Sequence, residues 1–227
     1  MKKVVITFLL LIILPLQLSQ TASAAQISRS LIDRADEISG FQIHLVYVVP
    51  NGSTDLNADT NGQIDSWVKE GNSWLEQKIH HSLKFDTYQG VTDVSFLQSR
   101  FRLSELCNTG CSTLENLKSE YLLQNPAFAD SKTLLFLLSE NLDANSCGWA
   151  DYTSNLALIH GFGDTLGGCN FPTAKSETGL NEPAGSIIHE LFHTFGIHHL
   201  CIDETDLMIG EPECKIDYNT YDHFPLT

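Results

Sequence analysis

The chain has 227 residues, of which 42% are apolar and 18% charged, and its formal net charge is −15. That length and apolar content suffice for one domain, or two closely packed lobes, with a sizeable core. The acidic balance excludes the basic surface on which nucleic-acid or anionic-membrane binding depends, so no nucleic-acid partner is expected.

Lys2 and Lys3 precede an apolar run from Val4 to Leu16, interrupted only by Thr7 and followed by small residues ending Ala22-Ser23-Ala24-Ala25. This is the order of a secretory signal peptide over residues 1–25, and the run is shorter than the roughly 20 residues a spanning helix needs. Residues 26–227 are then expected as the exported chain, extracellular or periplasmic, with no membrane contact once the leader is removed. Loss of the two leader lysines takes the formal net charge to −17. The short lysine-led leader looks bacterial. Six cysteines, all after residue 100, suit an exported chain with disulfides. Order along the chain suggests the pairs Cys107–Cys111, Cys147–Cys169 and Cys201–Cys214, one among many connectivities that six cysteines allow. A cysteine-bound metal is the rival reading, and the chain has no C-x-x-C pair to support it.

Residues 26–40 are polar with little pattern. Gln42 to Val49 is rich in β-branched and aromatic residues and stops at Pro50-Asn51-Gly52, so it reads as a buried strand, with His44 a packed side chain and not a ligand. The stretch from Asn57 to Asp65 resembles the opening of an EF-hand loop, with Asn57, Asp59, Asn61 and Asp65 as alternating oxygen donors around Gly62. It departs from that pattern at Asn57, where aspartate belongs, and at Val68, where the bidentate glutamate belongs. Calcium there competes with a plain turn leading into a helix. Ile64, Trp67, Val68, Trp74, Leu75 and Ile79 recur at helical spacing and predict a long helix with one buried face. Leu83–Tyr88 and Val91–Leu97 read as strands about a Gln89-Gly90 turn, Thr113–Gln124 as a second helix, and Lys132–Ser139 as a central strand. Asn155–His160 reads as a short strand ending in His160, a solvent-facing side chain in preference to a substrate contact, and residues 161–180 as a glycine-rich, cleft-side loop. The next helix is expected to begin near Pro183, whose missing N–H suits a first turn.

That helix carries the sequence HELFHTFGIHH from His189 to His199. Residues four apart on an α-helix leave the same face one turn from each other, so His189 and His193 form a pair. Gly196 can take the left-handed conformation that ends helices and bring His199 round as a third donor. Three neutral imidazoles suit Zn2+ with a fourth position open to water, and Glu190 is the expected general base beside it. His198, next to His199, is expected at the rim. The plain alternative is an amphipathic core helix with surface histidines.

The fixed positions read H-E-x-x-H-x-x-G-x-x-H, and Met208, the only methionine besides Met1, follows nine residues after His199. The combination resembles the metzincin clan of zinc peptidases. The resemblance implies an α+β fold, a two-lobed domain in which a twisted, mixed five-stranded sheet with two long helices lies above a small C-terminal lobe. The upper lobe would span about residues 40–198 and the lower about 199–227. It implies one catalytic zinc on His189, His193 and His199, Glu190 as general base and acid, and Met208 as the structural methionine beneath the metal. It also implies a protein or peptide substrate bound as an extended strand at the sheet edge, which by position would be Asn155–His160. Leu200 matches no branch signature after the third histidine. Gly210 stands where astacins and serralysins carry a tyrosine, so no subfamily follows. A monomeric, secreted zinc endopeptidase is the leading reading. A zinc amidase or exopeptidase on the same scaffold, and a non-catalytic recognition module, are the others, and the intact catalytic positions weigh against the last.

Overall fold

A computed structural model describes residues 28–106, 112–128, 132–142, 146–162 and 180–197. The leader, His198, His199, Met208, the lower lobe and every cysteine except Cys147 lie outside these residues. In chain order the elements are β1 (Gln42–Val49), α1 (Gln63–Ile79), β2 (Thr87–Tyr88), β3 (Val91–Thr92), β4 (Val94–Gln98), α2 (Leu103–Leu106), α3 (Thr113–Gln124), β5 (Lys132–Leu138), β6 (Gly148–Asp151), β7 (Leu156–His160) and α4 (Glu182–Thr194).

β1 and β5 are buried along their whole length, as near-continuous apolar runs are when both faces of a sheet are covered. They lie parallel, with β4 parallel beyond β1 and β7 parallel beyond β5. β6 pairs antiparallel with β7 and completes the order β4-β1-β5-β7-β6. The mixed five-stranded sheet of an α+β fold is therefore present, as expected. The 91–97 run is interrupted at Asp93. Gln89 and Gly90 have φ of 54° and 74°, the paired left-handed residues of a tight hairpin turn, so β2 and β3 close a small ribbon and only β4 joins the main sheet.

The crossover from β1 through α1 to β4 runs one way across the sheet, and the one from β4 through α3 to β5 runs back. Right-handed crossovers in opposite directions put their helices on opposite faces. Hence α1 and α3 lie on opposite faces, and α4 packs on the face of α1, where Trp67, Val68, Leu75, Ile187, Ile188 and Leu191 pack on Leu45, Tyr47, Leu135 and Leu137. Leu117 and Tyr121 of α3 pack on Val46, Phe136 and Leu158 of the other face. Two long helices above the sheet are thus α1 and α4, while the 113–124 helix backs it from behind. At their crossing a Cβ on Gly71 would lie 2.9 Å from Ile188 Cγ1, so this glycine sets how closely α4 approaches α1. Full burial of Ile188 and Leu191 contributes on the order of 2 kcal/mol each, which fixes the rotation of α4 about its axis.

The patternless segment before β1 is a strap ordered by charge pairing. Ser30 bridges to Ser95 beside β4, and its carbonyl accepts from the Phe96 amide. Arg29 bonds Asp55 and Asp59 while stacking on Phe96, Arg34 bonds Asp93, and Lys132 bonds both Asp33 and Asp36. One edge of the sheet is thereby covered. Among the described residues no strand pairs with the outer edge of β6. No helix among them is long and apolar enough to cross a membrane.

Candidate metal centre

Asn181 and Pro183 start α4, and the Asn181 amide donates to Glu70 Oε1 at 2.8 Å, which pins the helix start to α1. The helix ends where Gly196 takes φ 80°, with its amide bonded to the His193 carbonyl and the Ile197 amide to the Phe192 carbonyl. These two bonds are those of a Schellman end, for which a left-handed glycine is the usual solution.

On this helix His189 Nε2 and His193 Nε2 stand 3.1 Å apart with their ring planes at 88°. Two nitrogens about 2.0–2.1 Å from one tetrahedral zinc are about 3.3 Å from each other, so the pair fits a shared ion. His193 Nδ1 lies 2.7 Å from the Ile197 carbonyl, which can only accept. Nδ1 therefore carries the proton, and Nε2 presents a lone pair toward His189, the tautomer that a metal ligand requires. The carbonyl that fixes this tautomer belongs to the residue immediately after Gly196, so the helix end and the ligand tautomer depend on one another. His199 and Met208 fall outside the described residues, and so does the expected loop from 163 to 179.

Glu190 is 6% exposed, and burial pushes its carboxyl up to about 8. Its side chain lies over β6 at Gly148, where a Cβ would stand 2.7 Å from Glu190 Cγ, 2.8 Å from Cδ and 2.5 Å from the Leu158 carbonyl. Only glycine leaves that slot open. Gly148 was not singled out from the sequence; a glycine inside a short strand signals close approach of another group, but the strand itself went unread.

The edge beside the site is β6 and not 155–160 as expected. β7 is interior, bonded to β5 on one side and β6 on the other. His160 is likewise not solvent-facing: it is fully buried, its Nδ1 near Asn141 Oδ1 and the Leu142 amide and its ring 4.8 Å from Trp149. Cys147, which precedes β6, is disulfide-bonded, and every other cysteine lies outside the described residues.

The expected calcium loop does not form a cation cradle. Both Asp59 oxygens accept from Arg29 at 2.7 Å, and Asp65 accepts from Lys69 and from the amide and hydroxyl of Thr92. Asn61 Oδ1 accepts from the Gln63 amide at the helix start, and Asn57 sits at φ 55°. A guanidinium supplies the positive charge in place of an ion.

A second group of ligand-type atoms, from Asp33, His44, Asp86 and Asp93, lies within 4.8 Å at the opposite end of the strands. His44 is packed, as expected, with Nδ1 2.9 Å from Asp86 Oδ2 and Nε2 2.9 Å from Ser95 Oγ. Lys132 Nζ stands 2.7 Å from Asp86, and Arg34 is bonded to Asp93, so the chain's own cations already fill the group. Burial holds the Asp33 carboxyl above its usual range. Asp86, though burial opposes it, is held below by His44 and Lys132.

No family model and no curated protein matches the chain. Among solved structures it is similar to OgpA from Akkermansia muciniphila, with TM-score 0.45 and 13% identity over 73% of this chain and 51% of that one. The match thus spans about half the length of OgpA, which has also been crystallised in a catalytically inactive form with an O-glycopeptide. Archaemetzincin from Methanopyrus kandleri is similar with TM-score 0.42 and 17% identity, over 75% of this chain and 82% of that one. A zinc-dependent peptidase from Methanocorpusculum labreanum is similar with TM-score 0.41 and 16% identity, over 74% and 87%.

Proposed function

We propose that the chain is a secreted zinc-dependent endopeptidase of metzincin type, holding one zinc on His189, His193 and His199 above Met208. The observation that carries the reading is the 3.1 Å approach of the His189 and His193 ring nitrogens, the tautomer of His193 fixed by Ile197, beside the buried carboxyl of Glu190. Bound zinc supplies a Lewis acid and lowers the pKa of a water to about 7. The charge of a zinc held by the neighbouring histidines would favour the ionised form that burial alone opposes, and Glu190 would then take a proton from the attacking water and deliver it to the leaving nitrogen. Gly148 leaves room for that carboxylate. A polypeptide substrate adds as an extended strand to the outer edge of β6, where main-chain bonding gives affinity without demanding one side chain. The disulfide at Cys147 ties the start of this strand; Cys169 as its partner, and Cys107–Cys111 and Cys201–Cys214, are parts of the same proposal, as is a monomer.

Metal analysis and a digest of unfolded protein test this. The mature protein should hold one zinc and cleave internal bonds, and Glu190→Ala should keep the metal but lose nearly all turnover. A Glu190→Ala variant as active as the parent removes the mechanism, and release of single terminal residues alone replaces the endopeptidase with an exopeptidase.

A further inference from the structure

His160 is fully buried at the end of β7, a place where an apolar side chain would fill the space without burying polar atoms. It falls on the face of the sheet turned away from α4. Along β7, Ala157 and Ile159 pack with α4 while Leu156 and Leu158 pack with α3, and successive side chains alternate, so His160 lies with the latter pair. Glu190 lies against the other face, over Gly148. What the imidazole touches is the chain on both sides of that glycine. Its Nε2 stands 3.4 Å from Ser146 Oγ, its ring packs on Trp149 with centroids 4.8 Å apart, and its backbone amide donates to the Cys147 carbonyl at 3.1 Å. Nδ1 lies 3.2 Å from the Leu142 amide nitrogen and 3.0 Å from Asn141 Oδ1, just beyond β5. One buried residue thus ties the exit of β5 to Ser146, Cys147 and Trp149, and it directly follows Ile159, the register partner of Gly148. The slot has little slack, since a Cβ at Gly148 would stand 2.7 Å from Glu190 Cγ, so a small shift of β6 is passed to the carboxyl.

We infer that His160 is a positioning residue for the reaction, holding β6 from the far face of the sheet so that the slot at Gly148 keeps the Glu190 carboxyl in place. This rests on the peptidase reading, in which Glu190 is the base. Misplacing a reacting group by about 1 Å costs on the order of a hundredfold, so loss of the imidazole should lower kcat about ten- to a hundredfold.

The test is a double-mutant cycle on the zinc-loaded mature protein, with kcat, zinc content and amide hydrogen exchange measured for His160→Ala, His160→Asn, Gly148→Ala and the double variants. The expected result is a kcat loss of that size in His160→Ala with zinc content kept, and faster exchange over residues 147–151 but not in β1. His160→Asn, whose side-chain oxygen can stand where Nδ1 does, should recover part of both. In the Gly148→Ala background, where the slot is already closed, removing the imidazole should cost about twofold or less, whereas independent effects would add in full. Leu97→Ala, in β4 at the opposite edge of the sheet, lowers stability away from β6 and should leave kcat at the parent's level. Parental turnover in folded His160→Ala overturns the inference, as does an undiminished loss in the Gly148→Ala background, an equal loss in Leu97→Ala, or unchanged exchange over 147–151. Should His160→Ala not fold, His160→Asn carries the same comparisons. A parent that cleaves nothing overturns the peptidase reading instead, and exchange alone then decides whether His160 holds β6.

Discussion

Gly148→Ala isolates the geometry on which catalysis is argued to depend. The added Cβ would meet Glu190 Cγ at 2.7 Å, Glu190 Cδ at 2.8 Å and the Leu158 carbonyl at 2.5 Å. Carbon contacts settle at about 3.5–4.0 Å, so the glutamate must withdraw by about 1 Å or β6 must slide away from β7. Misplacing a reacting group by about 1 Å costs on the order of a hundredfold in turnover. Overpacking costs about 1–3 kcal/mol of stability, which a domain with about 5–15 kcal/mol in hand survives. His189 and His193 are placed by α4 and not by β6, so zinc content should stay at that of the parent. The assay is kcat and KM on an unfolded protein substrate, with zinc content and a urea transition measured on the same preparation. Turnover at the parent's level, in a variant that is folded and metal-loaded, would refute the argument that the slot at Gly148 positions Glu190.

Lys132→Met leaves Asp33, Asp36 and Asp86 around a side chain that was 3% exposed, and should cost about 3–5 kcal/mol in urea unfolding; a loss below about 1 kcal/mol would show that the cluster is not held by that ammonium. Acid should destabilise the fold through the strap and α1: the Asp55 carboxyl is held below its usual range by Arg29, and Asp65, against its burial, by Lys69 and Thr92. Such groups contribute fully above their unfolded pKa of about 3.9 and lose that contribution as pH falls through the lower folded value, so the urea midpoint should drop below about pH 4 and drop less in Arg29→Gln. Calcium should leave the melting temperature unchanged, because Arg29 holds Asp59; a rise that saturates with calcium would restore the ion. Gly196→Ala, at φ 80°, should cost about 1–2 kcal/mol and weaken zinc retention on dialysis, since the same turn supplies the carbonyl that orients His193.

The site was legible where its chemistry is local in sequence. His189, Glu190 and His193 share one helix, and the 3.6-residue period together with the left-handed freedom of Gly196 fixes their relation without tertiary information. β1 and β5 were legible because strands covered on both faces must be apolar throughout. β6 was not: it has four half-buried residues, one of them glycine, and its identity comes from pairing with β7. The calcium reading failed for a related reason. Alternating oxygens at Asn57, Asp59, Asn61 and Asp65 meet a local pattern, but the charge that satisfies Asp59 comes from Arg29, thirty residues earlier. The strap was invisible because ion pairs between distant segments impose no period on either one.

The unequal treatment of the two sheet edges ties these observations together. An unpaired edge is a liability, since its free amides and carbonyls invite pairing with any extended chain. At β4 the chain removes that liability with its own residues, holding Ser30 against Ser95 through Arg29 and Arg34. At β6 no such strand is supplied by the described residues, and this is the edge against which α4 lays Glu190. On the proposed function, a helix that brings two imidazoles and a buried carboxyl beside an edge that no described strand pairs would act on the substrate strand that pairs there. On this argument, covering β6 should abolish activity without touching the metal. A disulfide-tethered strand added along Trp149–Asp151 should leave zinc content intact while removing cleavage, and activity that survives it would separate the site from the edge.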